Sequence, residues 1–328
     1  MKYTLIGGAG FIGQNVAKHL KESGHEVTVI DDLSSFGGKD FKRQRRESLV
    51  CDRFIEKSCG EVEHDDFAYT DVLVHLASKT DYHPYYGEYI RNNCAELASL
   101  MEQPMNDVGR FILISSQTVY GKAPLPYSVT ETHLQPTEHY GLSKLVQEQI
   151  VRVLSREVPY AIIRPVIVLG PGQNGQSLYA GLIKNTVARL KAGMRPMIYG
   201  DGEQLRCFVS VHDIARLLAR AEEIPGLVNA TSREGAKSVN WVVARIQEIM
   251  GTHEEPLVNE YVRKVDLMQK DCVSAYNFPD DAPIFGAAAA GEVLEEHVKD
   301  LLKHELPYRG QIEALDRHNE EEGVIVKV

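Results

Sequence analysis

The sequence predicts an α/β architecture, a doubly wound parallel sheet with a smaller C-terminal lobe, and three observations predict it. Short apolar strand signals alternate with amphipathic helix signals through the first half of the chain, a glycine-rich turn joins the first strand to the first helix, and past residue 170 the alternation loosens. Helical crossovers between successive strands make those strands parallel.

Tyr3-Thr4-Leu5-Ile6 is the first strand signal, and Val16, Ala17 and Leu20 mark the apolar face of the first helix. Gly7-Gly8-Ala9-Gly10-Phe11-Ile12-Gly13 lies between them. Glycines there let the backbone turn tightly, approach a pyrophosphate and pack helix against strand, while the helix N-terminus presents free N–H groups to phosphates. In that setting the turn, with Gly7, Gly10, Phe11, Ile12 and Gly13, predicts a Rossmann-type dinucleotide site. The second strand signal, Glu26–Ile30, ends in Asp31-Asp32, placed to accept from the adenosine ribose hydroxyls. A carboxylate at that position repels a 2′-phosphate, so the expected cofactor is NAD.

Further strand signals fall at Val72–His75, 110–115 and 160–168, with helical patterns at 89–102 and 140–154. After Gly170-Pro171-Gly172 come a helix at 177–192, a turn-rich stretch at 199–206, a helix at 212–223, a strand at Leu227–Ala230 and helices at Val239–Met250 and 287–303. The expected division is a NAD-binding domain over 1–170, rejoined by the segment near 208–232. A mainly substrate-binding lobe follows over 171–310, then a tail over 311–328. The final run, 324–328, reads as a frayed end or an added edge strand.

Composition bounds the function. The 328 residues suffice for a large core, and 43% hydrophobic with 25% charged residues is ordinary for a soluble enzyme. A net charge of −10 argues against a nucleic-acid surface. No apolar run reaches bilayer length, and Met1-Lys2 leads straight into the first strand, so a cytoplasmic protein without membrane attachment is expected. Cys51, Cys59, Cys94, Cys207 and Cys272 are scattered and odd in number, and the 12 histidines show no paired ligand spacing. Neither a disulfide framework nor a metal site is predicted. The basic run at 42–46 reads as a solvated helix face, with proximity to the adenosine as its alternative.

Tyr140 and Lys144 stand at i and i+4 at a helix start and therefore share a face. A phenol with a pKa near 10 is a poor base at neutral pH; ionising it there needs about 4 kcal/mol of differential stabilisation. A neighbouring ammonium and an oxidised nicotinamide can supply it. Ser116 follows the strand signal at 110–115, at the carboxyl edge where open α/β sheets bind ligands, and its hydroxyl can position a reacting alcohol or ketone oxygen.

Taken in order, Gly7-x-x-Gly10-x-x-Gly13, His75-Leu76-Ala77-Ser78, Ser115-Ser116-Gln117-Thr118-Val119-Tyr120-Gly121, Tyr140-x-x-x-Lys144 and Gly170-Pro171-Gly172-Gln173 resemble the extended short-chain dehydrogenase/reductase family, and within it the NAD-dependent nucleotide-sugar epimerase/dehydratase group. The likeness runs to about residue 304. It implies Tyr140 as general base and acid, Lys144 as its activator and ribose ligand, and Ser116 as the oxygen-positioning hydroxyl. It also implies cofactor contacts from Glu61, Val62, Leu76, Ala77, Ser78, Asn93 and Pro165, and substrate contacts from Ser116, Gln117 and Arg206. The segment 199–209 resembles the one whose arginine grips a nucleotide diphosphate. A homodimer through the helices at 89–102 and 140–154 is implied as well.

The departures are specific. Dehydratases of the group carry Asp-Glu directly after the hydroxyl residue, where this chain has Gln117-Thr118. Epimerases often carry an asparagine where Ile167 stands, and an acid where Cys207 stands. The resemblance thus implies a 4-epimerase cycle on a nucleotide-diphosphate sugar. The alternatives are a dehydrogenase or ketoreductase acting on a sugar or secondary metabolite, or a dehydratase. A NAD-sensing binding protein would keep the glycine turn and lose the triad, and this chain has Ser116, Tyr140 and Lys144 together.

Overall fold

The computed structural model describes residues 1–34, 44, 46–80, 86–123, 127–129, 132–155, 158–173, 181–232, 234–259, 261–263, 288–304, 306, 309–313 and 325–327. Strands β1 (Lys2–Ile6) and β2 (Glu26–Ile30) flank helix α1 (Phe11–Glu22). They are followed by β3 (Arg53–Ile55) and β4 (Val72–His75). Helix α2 runs through three consecutive pieces, Tyr86–Tyr89, a π-turn at Ile90–Ala95, and Glu96–Glu102. Then come β5 (Arg110–Ile114), α3 (His139–Leu154) and β6 (Tyr160–Pro165).

The second half contributes β7 (Ile167–Leu169), α4 (Gly181–Lys191), β8 (Met197–Tyr199), β9 (Leu205–Arg206), β10 (Phe208–Ser210) and α5 (Val211–Ala219). It continues with β11 (Leu227–Ala230), β12 (Lys237–Ser238), α6 (Val239–Met250), β13 (Leu257–Asn259), β14 (Tyr261–Arg263), α7 (Ala290–Leu301) and β15 (Ile325–Lys327).

Seven parallel strands form the central sheet in the order β3-β2-β1-β4-β5-β6-β11. The order reverses between β1 and β4, and the crevice beyond their carboxyl ends is where such sheets bind ligands. Sheet and helices share two cores. On one face α1 and α5 pack together over Leu5, Val29, Val74, Ile112 and Ile163. On the other, α2 and α3 cover Ile6, Leu73, Leu113 and Ile162. Alternate residues of each strand go to opposite faces, so β-branched and leucine residues fill both. A third cluster joins α4, α6 and α7 to Leu169 of β7 and Phe208 of β10.

Several elements differ from their sequence signals for local reasons. The 160–168 signal divides into β6 and β7, because Val166 N–H donates to Ala230 O and Ile167 N–H to Cys207 O, carrying β7 out of the main sheet to pair with β10. The helix expected at 212–223 stops at Ala219, followed by a 3-10 turn, Ala221–Glu223. β3 gave no usable signal at three residues, and the 199–206 stretch includes β9, paired antiparallel with β12. The start of the 177–192 helix, Ala287, Cys272, and most of the 42–46 run lie outside the described residues. Of that run, Arg46 stacks over Phe54, 4.4 Å from its ring centroid. At the chain end, β15 pairs antiparallel with β14.

Among the described residues no helix is long and apolar enough to cross a membrane, and no group of three or more His, Cys, Asp or Glu side chains could hold a metal ion.

Candidate active site

The glycine turn leaves β1 through Gly7, whose φ of +79° places it in the left-handed region. A Cβ on Gly7 would lie 2.4 Å from Ala77 N, and one on Gly13 would lie 2.5 Å from Gly8 Cα. Both positions therefore need glycine for close backbone approach. Gly10 precedes α1 in extended conformation, and no side chain caps the helix or puts an acid in its first turn. That leaves the first N–H groups of α1, at Phe11, Ile12 and Gly13, without a side-chain cap, which suits a pyrophosphate.

Asp31 is buried at the end of β2. Its Oδ2 accepts from Ala9 N–H at 2.9 Å and its Oδ1 from Leu33 N–H at 2.8 Å, which fixes the carboxylate against the glycine turn. Asp32 instead accepts from Ser34 N–H at 2.8 Å. Val62 is buried, whereas the exposed Glu61 accepts from both Ser58 N–H and Ser58 Oγ at 3.0 Å and caps its own short turn. Burial raises the Glu96 carboxyl above its ordinary range, Gly60 N–H opposes this, and Asp32 and Glu61 add to it. Three acids thus share the rim next to Asp31, which disfavours an added phosphate there.

Leu76 and Ala77 both donate backbone N–H to Ile6 O, so the end of β4 lies against the glycine turn. Ser78 Oγ and Gln117 Oε1 are buried without a hydrogen-bond partner. Buried polar atoms left open in this way mark a place for a polar ligand. Asn93, fully buried in the π-turn, accepts from Lys79 N–H (2.7 Å) and donates to Lys79 O (3.1 Å) and Ser143 Oγ (3.0 Å). It therefore acts on the site by tying the 76–79 segment to α3. Pro165 is buried at the end of β6, paired in register with Ala230.

The first turn of α3 faces the end of β5. Ser116 caps a short 3-10 turn, accepting from Thr118 N–H at 3.2 Å and Thr118 Oγ1 at 3.0 Å, and its hydroxyl lies near enough to Tyr140 to pull the phenol's pKa down. Lys144 is buried, donates from Nζ to Ile114 O at 3.0 Å, and sits 5.8 Å from the Tyr140 ring centroid. Ser116, Tyr140 and Lys144 are thus brought together. Burial raises the Tyr140 phenol, with the Ser116 hydrogen bond opposing and Tyr89 adding to it. Burial also lowers the Lys144 ammonium to about 7, against the pull of Cys94 and Glu148. A positive charge arriving beside the phenol lowers its pKa, the direction a general base requires. These residues, the glycine cradle and the open Ser78 hydroxyl fit a nicotinamide dinucleotide.

Arg206, half-buried on β9, donates to Leu205 O at 2.8 Å. Lys237 stands opposite it in the antiparallel pair, a second cation the sequence reading passed over. Sequence reasoning also missed a buried network behind the triad. Ser115 Oγ donates to Glu148 Oε1 at 2.6 Å, and Arg164 grips Glu148 with two bonds of 2.8 and 2.6 Å. Arg164 also donates to Tyr120 OH at 2.9 Å, which donates to Asn229 Oδ1 at 2.8 Å. Its only linear signal is the i+4 spacing of Lys144 and Glu148.

Comparison with known proteins identifies the family and the fold. Residues 3–228 match the family described as the NAD dependent epimerase/dehydratase family. The chain is 27% identical over 258 residues to a UDP-N-acetyl-alpha-D-glucosaminuronate decarboxylase of Bacillus cytotoxicus, covering 75% of this chain and 79% of the relative. It is 28% identical over 266 residues to a UDP-glucose 4-epimerase of Erwinia amylovora, covering 73% and 77%. Among solved structures, a UDP-glucose 4-epimerase of Thermotoga maritima with UDP-glucose superposes with a TM-score of 0.79 at 26% identity, covering 92% of this chain and 99% of that one. A UDP-glucuronic acid 4-epimerase of Bacillus cereus with NAD shares the fold, with a TM-score of 0.75 at 22% identity over 92% and 99%.

Proposed function

The chain belongs to the NAD-dependent epimerase/dehydratase family, and from that premise we propose that it is a nucleotide-sugar epimerase acting on a diphosphate-linked hexose. Bound NAD supplies a hydride acceptor and donor. Tyr140 removes the proton of the sugar hydroxyl and later returns it, Ser116 holds the reacting oxygen, and Lys144 stabilises the phenolate and the ribose of the cofactor. Arg206 anchors the diphosphate, so the sugar can rotate and present its other face to the returning hydride. Gln117 meets the sugar beside Ser116.

The observation that carries this reading is that Gln117 and Thr118 follow Ser116 in place of an Asp-Glu pair, with Thr118 Oγ1 bonded to Ser116 Oγ. Water elimination needs an acid and a base on neighbouring carbons, and positions 117 and 118 offer an amide and a hydroxyl, neither of which titrates near neutrality. Oxidation and re-reduction at one carbon needs only the Tyr140 proton relay.

The protein is further read as a cytoplasmic homodimer. Leu142 and Val153 lie about three turns apart on one face of α3, and both are exposed at 38% and 73%. Ile90 on the neighbouring α2 is exposed at 37%. Such apolar exposure on adjacent helices suits a second copy.

The test is Tyr140→Phe assayed with a panel of UDP-hexoses and no added reductant. The wild type converts one of them to its stereoisomer, and the variant binds NAD normally but turns over about 10²-fold more slowly. Near-normal turnover in the variant contradicts the assignment.

A further inference from the structure

Glu148 lies one turn beyond Lys144 on the same face of α3 and is fully buried. Its surroundings explain what it does. Lys144 Nζ donates to Ile114 O, and Glu148 Oε1 accepts from Ser115 Oγ, so two side chains of one helix hold two successive residues of the strand end. The next residue is Ser116, whose hydroxyl meets Tyr140. Arg164 on β6 fixes the Glu148 carboxylate from behind with two bonds, and is itself fixed by Tyr120 and, through it, by Asn229 on β11.

The charges around Lys144 come from four elements. Tyr140 and Glu148 share its helix, Cys94 faces it from the α2 π-turn, His75 from β4, and Arg164 stands behind Glu148 on β6. Burial holds His75 neutral and the Cys94 thiol protonated. The negative charge bearing on Lys144 at neutral pH therefore comes from Glu148. Arg152 also approaches Glu148, at 3.6 Å from the solvent side.

We propose that Glu148 is a positioning residue for the Tyr140–Lys144 pair: it ties the strand end bearing Ser116 to the helix bearing Tyr140, and it sets a buried carboxylate one turn from the Lys144 ammonium on the same face of α3. The proposal rests on the reading of Tyr140 and Lys144 as the proton relay and deepens it.

Two variants separate the two halves of this role. Protein labelled with carbon-13 at lysine Cε reports the titration of each ammonium by NMR, and Lys144→Met identifies the Lys144 signal. Glu148→Gln keeps an oxygen for Ser115 but removes the charge. In it the Lys144 midpoint is expected to fall by about one pH unit, and the pH profile of kcat to move by the same amount with KM unchanged. An unmoved Lys144 midpoint overturns the electrostatic half. Should Glu148→Gln not fold, Glu148→Gln with Arg164→Gln leaves no unpaired charge and is read by the same criterion.

Ser115→Ala removes the tie and keeps the charge. Its Lys144 midpoint is expected to stay in place while kcat falls about tenfold, one hydrogen bond's worth of positioning. Full turnover in Ser115→Ala overturns the mechanical half. The NMR titration needs no substrate, so its result is independent of the epimerase reading, which Tyr140→Phe tests.

Discussion

Burial acts in opposite directions on the two titratable members of the triad. It raises the Tyr140 phenol and lowers the Lys144 ammonium, because both charged forms lose hydration. A third buried group, His75, gives this effect a measurable consequence. Burial first, and the Lys144 charge second, hold its imidazole down to about 3, with Nε2 against Cys59 Sγ at 3.4 Å. In the unfolded chain the same group takes a proton near 6.5. Above that pH both states are neutral and His75 costs nothing. As pH falls from 6.5 towards 3, the unfolded state gains a proton the folded state refuses, and stability is lost at roughly 1 kcal/mol per pH unit. Equilibrium denaturation between pH 7 and 4 should therefore show a shallower acid loss in His75→Gln than in the wild type. Equal slopes would show that His75 is protonated in the fold.

At the scale of elements, the junction of β1, the glycine turn and α1 is the most tightly specified part of the molecule. Gly13 packs directly on Gly8, so Gly13→Ala must push α1 away from the turn that the cofactor phosphates share. A melting midpoint lowered by overpacking of about 1–3 kcal/mol, together with weaker NAD binding in a calorimetric titration, is the expected outcome. Unchanged NAD affinity would mean that the helix terminus does not meet the phosphates. This junction was legible in the sequence because its rules are local: glycine where the backbone needs it, an apolar strand before and an amphipathic helix after. Tyr140 and Lys144 were legible for the same reason, through helical spacing. The π-turn that buries Asn93, the three-residue β3 and the Glu148–Arg164 ion pair were not. Each is defined by partners far along the chain, such as Ser143 for Asn93, and no short-range pattern encodes them. The 160–168 signal misled for a related reason, since only pairing with Phe208–Ser210 reveals where β6 ends.

At the scale of the whole molecule, the parallel sheet brings residues from β1, β2, β4, β5 and α3 to one crevice, and β9 and β12 carry a pair of cations, Arg206 and Lys237. The exposed face of α3 predicts assembly. Leu142→Arg with Val153→Asp should convert a dimer into a monomer in sedimentation at micromolar concentration, and a monomeric wild type would contradict the dimer. In the proposed cycle one carbon of a bound sugar is oxidised and re-reduced without the hydride leaving the site. The most direct test uses the UDP-hexose converted by the wild type, carrying deuterium at the carbon that inverts, with no added oxidant or reductant. The expected product is a stereoisomer of equal mass that retains its deuterium, with no lasting NADH absorbance. Deuterium recovered in released NADH, or a product lighter by one water, would contradict it.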